Sequence, residues 1–350
     1  MKTYYEMILS KNSRSSFINS FEQFWSEEFE HSNLHLSSPQ LQFGTRLRPI
    51  LVAWGYYANL SLDDAQEPNE SYNELLKLSY AVELLHKSSI IIDDLIDGDT
   101  KRKGNDSYHV QHGSFEAILS SLFLIGKSFE KISTNADKNN NLSSMNTNIL
   151  ANTLSKMSYG ALSELELTKN KKLFDLNEIK EIIDNETTSL IKSSFLLGFI
   201  SSAKNYNNDT IELVGKVGQL SGYIFQILND LEPFSNTNKN KIHKGIENLD
   251  IQVSRKNYIV AFLYGFASKN DRLTINELVN SSKVDSTKIT LTQLLTKYDI
   301  HKKIMDYVDE IHIEINKSIE LLSKILDNKK YTDELKTFVN FMINTALDKI

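Results

Sequence analysis

The chain has 350 residues, of which 40% are hydrophobic and 24% charged, and its formal net charge is -6. This composition is typical of a globular protein with a substantial core, and the acidic balance argues against nucleic-acid binding, which normally requires a basic face. Cysteine is absent, which excludes disulfides, thiolate metal sites and cysteine nucleophiles. Any metal must therefore be bound by oxygen or imidazole ligands.

Helix breakers are scarce in this chain. It contains only four prolines and 13 glycines, which favours long helices over many short strands, so we expect an all-α fold. The N-terminus lacks a secretion signal, and no uncharged apolar run reaches the length of about 18 residues that a membrane span needs. We therefore expect a soluble cytoplasmic protein without a transmembrane segment, built as one domain over residues 1–350 with residues 1–36 as an N-terminal helical extension.

Apolar periodicity predicts the helices in chain order. Aromatic residues from Phe17 to Phe29 recur at helical intervals, which indicates an amphipathic helix in the extension. Further helices are predicted at 47–60, 71–97, 114–132, 146–168, 175–203 and 209–231, followed by four or five shorter ones. Polar loops are expected at 98–113, 133–141 and 235–248.

The long helix at 71–97 ends in an acidic cluster. Asp93 and Asp97 lie one turn apart on one face, and Asp94 flanks them. Like charges at this spacing repel, and a hard divalent cation with oxygen ligands would relieve the repulsion. Solvated surface charge is the commoner explanation of such a cluster, but Ile90–Ile92 place these carboxylates at the boundary of a core, where unpaired charge is costly.

Two other features carry candidate phosphate ligands. Arg46 and Arg48 lie at a helix start, where guanidinium groups and free backbone N–H groups can bind phosphate; a merely positive loop is the alternative. His86 precedes Asp93 by seven residues, or about two turns, and shares its face. A buried core histidine is the alternative for His86.

Taken together, several motifs resemble the trans-isoprenyl diphosphate synthase (polyprenyl synthetase) family. They are Gly44-Thr-Arg-Leu-Arg-Pro49, Glu83-Leu-Leu-His86, Ile92-Asp-Asp-x-x-Asp97, Arg102-Lys103-Gly104 and His109-x3-Gly113. Gly222-x3-Gln226-Ile-x-Asn229-Asp230 extends the resemblance to the second acidic motif of the family. The combination of motifs is specific, whereas each motif alone is not.

The resemblance implies an all-α bundle around a deep apolar cavity, a homodimer, Mg²⁺ as cofactor, and allylic prenyl diphosphate with isopentenyl diphosphate, or another acceptor, as substrates. It implies that Asp93, Asp94 and Asp97 bind Mg²⁺ and, with Arg102 on the allylic diphosphate, form the catalytic set. Arg48, His86 and Lys103 match the positions that bind the acceptor diphosphate. Further expected substrate ligands are Arg46, Gln226, Lys241 and Lys256, and the expected second metal set is Asn229, Asp230 and Glu232.

The chain departs from the family pattern at several positions. Thr45 replaces a lysine, Ala161 a glutamine, Glu164 an aspartate and Glu186 another lysine, while Asn229 and Pro233 stand where aspartates are expected. These departures leave three hypotheses for the function. The protein could be a prenyl diphosphate synthase, a prenyltransferase or terpene cyclase that does not use isopentenyl diphosphate, or a non-catalytic synthase subunit. A helical binding module with a solvated acidic helix end is a fourth, unrelated reading.

Small residues upstream of the acidic cluster bear on substrate length. Ser88 and Ser89 lie one turn before Asp93 and would leave space for the prenyl chain, with Leu85 and then Val82 as deeper obstacles. We therefore expect a product of 15 to 20 carbons or longer.

Overall fold

The computed structural model describes residues 11–31, 39–42, 44, 46–58, 70–102, 104–133, 140–169, 175–202, 207–231, 234, 257–279, 284–326, 330, 332–337 and 339–340. The structure in these ranges is almost entirely helical, which confirms the expected all-α class. The helices are α1 (Lys11–His31), α2 (Pro39–Gln42), α3 (Leu47–Ala58), α4 (Glu70–Asp97), α5 (Tyr108–His112), α6 (Ser114–Ser133), α7 (Asn140–Lys169), α8 (Leu176–Ile183), α9 (Ser189–Ser202), α10 (Asn208–Leu231), α11 (Tyr258–Phe266), α12 (Lys269–Val279), α13 (Val284–Lys297) and α14 (Ile300–Ile325).

Three features differ from the predicted pattern of helices and loops. A π-helical turn, Asp184–Thr188, separates α8 from α9 within the segment that was expected to form one continuous helix. Helix α14 has 26 residues, so it is a long helix and not one of the four or five shorter helices expected after residue 231. The expected loop after α4 contains α5 and a small antiparallel hairpin of β1 (Lys101–Arg102) and β2 (Asn105–Asp106).

Glycines allow α3 and α9 to cross closely at the centre of the bundle. A Cβ atom on Gly198 would lie 1.9 Å from the carbonyl oxygen of Val52, and one on Gly55 would lie 2.3 Å from that of Phe195. No side chain fits in this space. The crossing is surrounded by the main core, which includes Trp54 packed edge-on against Phe195.

Helix α1 packs on the body of the protein. Phe17, Phe21 and Trp25 are buried, and the Trp25 ring lies 4.9 Å from that of Tyr80 on α4. The aromatic periodicity in the N-terminal extension therefore marks a face that is part of the core.

The end of α4 sets the path of the following hairpin. Gly98 adopts a left-handed conformation with φ of 70°, and the Asp99 N–H donates to the Asp94 carbonyl over 3.0 Å. This is the 6→1 bond of a Schellman motif, which ends the helix and reverses the chain. Gly104, with φ of 82°, lies in the turn between β1 and β2, so the hairpin returns Arg102 to the last turn of α4.

Within the ranges described above, none of the helices combines the length and the apolar character needed to cross a bilayer.

Candidate active site

A cavity of about 550 Å³ lies between α4, α7, the α8–α9 segment and α10. Apolar side chains line it, including Leu85, Ile125, Leu154, Ile183 and Leu190, together with charged and polar groups, and the exposed Asp93 marks its mouth. This combination of an apolar chamber with a few convergent polar groups is typical of a ligand site.

Two of the three clustered aspartates line this cavity. Asp93 and Asp97 lie on one face of α4 together with His86 and Ser89, as the helical spacing predicted. The Asp93 side chain is 59% exposed. The carboxylates therefore lie where a solvated cation can reach them.

Asp94 differs from the expectation that it acts as a third metal ligand. Its side chain is fully buried and does not line the cavity. Its Oδ1 accepts a hydrogen bond from Nε of Arg102 and forms an ion pair with Nη2. Burial raises the pKa of Asp94 to about 6 despite the opposing effect of Arg102, so the group is mainly ionised at pH 7. The reason for the difference is the 100° step between neighbouring residues of a helix, which turns Asp94 towards the hairpin.

Arg102 lies at the cavity mouth, as expected for a diphosphate ligand. Its Nε is 2.6 Å and its Nη2 2.5 Å from Asp94 Oδ1, and Nη2 is 3.4 Å from Asp93 Oδ2. The guanidinium is thus held by two carboxylates of α4.

Arg48 and His86 also line the cavity. Burial lowers the pKa of Arg48 to about 10, against the opposing effect of Glu83, so the guanidinium stays charged at pH 7. Its Nε is buried without a hydrogen-bond partner among the described residues, and its Cζ lies 5.6 Å from the centre of the Phe225 ring. A half-buried cation with a buried, unused donor inside a cavity is suited to bind an anion.

Arg46 lies outside the cavity, contrary to the expectation that it binds substrate. It donates to Glu22 over 2.9 and 3.0 Å, to Glu83 over 3.1 Å and to the Gln42 carbonyl over 2.6 Å, and its Cζ lies 4.3 Å from the centre of the Trp25 ring. These contacts use the guanidinium to join α1 to α4. The packing of α1, which the local motif does not encode, explains why the two arginines have different surroundings.

The second acidic motif forms part of a hydrogen-bond network. Gln226 accepts from Thr187 over 2.9 Å and donates to Asp230 Oδ1 over 2.8 Å. Asp230 Oδ2 accepts from the backbone N–H of Tyr258 at the start of α11, over 2.7 Å. Gln226, Asn229 and Asp230 line the cavity, but Asp230 already accepts hydrogen bonds on both oxygens.

Three residues that depart from the family pattern also line the cavity. They are Ala161 and Glu164 on α7 and Glu186 on the π-helical turn. A Cβ on Gly160 would lie 2.6 Å from Glu186 Cγ, so this glycine lets the turn approach α7. The expected positions Thr45, Lys103, Glu232, Pro233, Lys241 and Lys256 lie outside the described residues.

The residues expected to control chain length lie along the cavity, but they do not form it alone. Leu85, Ser88 and Ser89 line it, and the two serine hydroxyls donate to carbonyls of their own helix. Val82 is buried but does not line it. The apolar residues from other helices, such as Ile125 and Leu154, were not identified from the sequence because helical periodicity shows a buried face without showing what the face encloses.

The carboxylates at the cavity mouth supply only part of the ligands that Mg²⁺ requires. Among the described residues, no three His, Asp or Glu side chains converge to hold a metal ion. Mg²⁺ commonly binds through one or two carboxylates and completes its octahedron with substrate phosphates and water. Asp93 and Asp97 meet that requirement, since they lie one turn apart at the mouth.

Comparisons with known proteins agree with this architecture. The Polyprenyl synthetase family matches residues 34–296. A farnesyl diphosphate synthase of Micrococcus luteus is 27% identical over 309 residues, which cover 87% of this chain and 93% of that protein. A short chain isoprenyl diphosphate synthase of Methanocaldococcus jannaschii is 26% identical over 258 residues, covering 73% and 74%. The crystal structure of a polyprenyl synthase from Caulobacter crescentus matches the fold with a TM-score of 0.76 at 15% identity, covering 94% of each chain.

The all-α bundle and its charged cavity mouth thus define a protein of the trans-prenyltransferase class. The chain belongs to the polyprenyl synthetase family. The expectation of a trans-prenyltransferase, drawn from the sequence motifs, is confirmed.

Proposed function

We propose that the protein is a Mg²⁺-dependent prenyl diphosphate synthase, which condenses an allylic diphosphate with isopentenyl diphosphate. The observation that carries this proposal is the cavity, in which Asp93 and Asp97 lie at the mouth, Arg48 and His86 lie nearby, and an apolar chamber extends below. Each part of the reaction has a matching chemical environment in this arrangement.

In this reaction the bond between C1 and oxygen of the allylic diphosphate breaks, and diphosphate leaves with the electron pair. The double bond of isopentenyl diphosphate then forms a carbon–carbon bond with C1, and loss of a proton from C2 of the added unit restores a double bond. Bound Mg²⁺ would neutralise the charge that develops on the departing diphosphate. The apolar walls would keep water away from the cationic carbon.

Different charged side chains would bind the allylic substrate and the acceptor. Arg102, held at the mouth by Asp94, would bind the allylic diphosphate, and Asp93 with Asp97 would supply carboxylate ligands for its metal. Arg48, whose Nε is a buried donor without a partner among the described residues, lines the cavity with His86. The two side chains would bind the diphosphate of the acceptor. Guanidinium groups suit this role because they donate to phosphate oxygens in a planar fork.

The test is product analysis after incubation of the purified protein with Mg²⁺, isopentenyl diphosphate and allylic diphosphates of 5, 10 or 15 carbons. Elongated diphosphates are expected. A hydrocarbon or alcohol formed from the allylic substrate alone would instead identify a cyclase, and consumption only with a third acceptor would identify another transferase. No turnover, together with tight association to another synthase, would identify a regulatory subunit.

We also propose that the protein forms a homodimer through α6. Phe115, Ile118, Leu119 and Leu122 are between 41% and 86% exposed and recur at the spacing of one helical face. The opposite face packs against α4, where Ser128 donates to the Ala81 carbonyl over 2.7 Å. A second copy related by a two-fold axis would cover the apolar face with the same face of its partner.

Light scattering after size exclusion tests the dimer. The wild-type protein should have twice the mass of one chain, and Leu119→Asp should lower the mass towards that of one chain because it places a charge within the apolar face. Leu273→Asp, at an equally exposed leucine on α12, serves as the control. A monomeric wild-type protein would contradict the proposal. The cytoplasmic location stays a prediction from the sequence.

A further inference from the structure

Asp94 is the member of the acidic cluster that the proposed metal chemistry does not use. Its side chain is fully buried, whereas that of Asp93 is 59% exposed. Asp94 Oδ1 accepts a hydrogen bond from Arg102 Nε over 2.6 Å and forms an ion pair with Nη2 of the same guanidinium at 2.5 Å. Such charge-assisted bonds are short and strong, and they restrict the orientation of the guanidinium plane.

The backbone between the two residues brings them together. The Schellman motif at Gly98 reverses the chain directly after α4, and the Ser107 N–H donates to the Thr100 carbonyl over 3.0 Å, closing the base of the hairpin. Arg102 is therefore carried on a short, hydrogen-bonded loop. Its long side chain would still have several rotamers without a fixed partner.

We propose that Asp94 is a positioning residue, which holds the Arg102 guanidinium at the cavity mouth so that it binds the diphosphate of the allylic substrate. The contacts with Asp94 and Asp93 use Nε and Nη2, whereas Nη1 makes no hydrogen bond or ion pair among the described residues. That edge of the fork is available to an anion in the cavity. This proposal rests on the proposed function, because it assumes an allylic diphosphate at the mouth.

A metal ligand and a positioning residue predict opposite effects when metal is absent. If Asp94 were only a metal ligand, its charge would repel a diphosphate in EDTA, and Asp94→Asn would bind the anion as well as or better than the wild-type protein. If Asp94 positions Arg102, the same substitution weakens binding, because the guanidinium loses its anchor. Asp93 contacts Arg102 only through Nη2, at the longer distance of 3.4 Å, and is 59% exposed. Asp93→Asn therefore mainly removes an exposed negative charge at the same mouth and is expected to strengthen binding or leave it unchanged.

The experiment is calorimetric titration of the full-length protein with farnesyl thiodiphosphate, a slowly reacting allylic analogue, in EDTA. Asp94→Asn and Arg102→Met should each weaken binding by about 10-fold to 100-fold, which corresponds to the loss of a charge-assisted hydrogen bond. The double variant should bind no more weakly than Arg102→Met alone, because the two residues act through one contact. Asp106→Asn, which breaks the exposed pair with Lys101 in the same hairpin, is the control and should bind like the wild-type protein.

If Asp94→Asn fails to fold, Arg102→Lys provides a second variant of the same contact. Lysine retains a cation for the buried carboxylate but lacks the planar fork, so this variant should fold and still bind the analogue more weakly. Binding of the analogue to Asp94→Asn at wild-type strength, or additive effects of the two substitutions, would overturn the proposal. Failure of the wild-type protein itself to bind would instead overturn the proposed function.

Discussion

Arg46 and Arg48 are close in sequence, but the structure gives them different surroundings, and substitutions can test whether their roles also differ. We predict that Arg46→Met mainly lowers the free energy of unfolding. The substitution removes the cation at 3.1 Å from the buried Glu83 carboxylate, whose Oε2 already lacks a hydrogen-bond partner among the described residues. The nearest remaining cation in that ion-pair cluster is Lys87, at 3.9 Å.

The magnitude follows from the burial of this pair. Breaking a buried ion pair by removing one partner costs about 3–5 kcal/mol, because the other charge stays buried and uncompensated. Loss of the contact with the Trp25 ring adds about 0.5–2 kcal/mol. Glu22, the other partner of Arg46, is 45% exposed, so Glu22→Gln should cost only about 0–1 kcal/mol.

Equilibrium unfolding in urea measures these costs, and steady-state kinetics gives the matched comparison. Arg48→Met should lower the free energy of unfolding by only about 0.5–2 kcal/mol, through loss of the contact with the Phe225 ring, because the Arg48 Nε has no hydrogen-bond partner among the described residues to lose. It should, however, raise the KM for isopentenyl diphosphate. An Arg46→Met protein of wild-type stability with a raised KM would refute the structural assignment of Arg46.

The remaining predictions concern metal, substrate length and pH. Asp93→Asn should raise the Mg²⁺ concentration needed for half-maximal turnover, because one ligand of the cavity mouth is lost; wild-type Mg²⁺ dependence would contradict the metal assignment. Ser88→Phe should shorten the product by filling the chamber beside α4, and mass spectrometry showing an unchanged product would disprove that role. Hydrogen bonds from Lys297 and its neighbours lower the pKa of Asp271 to about 2, so its contribution to stability is present above its ordinary pKa and lost as pH falls from about 4 to 2. Urea unfolding of Asp271→Asn should therefore vary less with pH in that window, and an unaltered pH dependence would argue against this pairing.

Local sequence patterns predicted much of the helical framework and one wall of the cavity. Apolar spacing predicts α4, and the 3.6-residue period alone is enough to place His86, Ser89, Asp93 and Asp97 on one face. A helix start at Leu47 also follows from local pattern, since Pro49 is permitted in a first turn. These features depend on residues within a few turns of each other, so they can be read without knowledge of the fold.

Tertiary packing decided the roles of residues whose local patterns are equivalent. Arg46 and Arg48 are two residues apart, yet the position of α1 makes one a buried link to Glu22 and Glu83 and leaves the other in the cavity. Asp93 and Asp94 are adjacent, yet the returning hairpin brings Arg102 close enough to donate a hydrogen bond to the buried Asp94. The sequence gives the charge of each side chain. Its interaction partner, however, depends on which distant segment packs against it. Burial then determines how much stability is lost when that partner is removed.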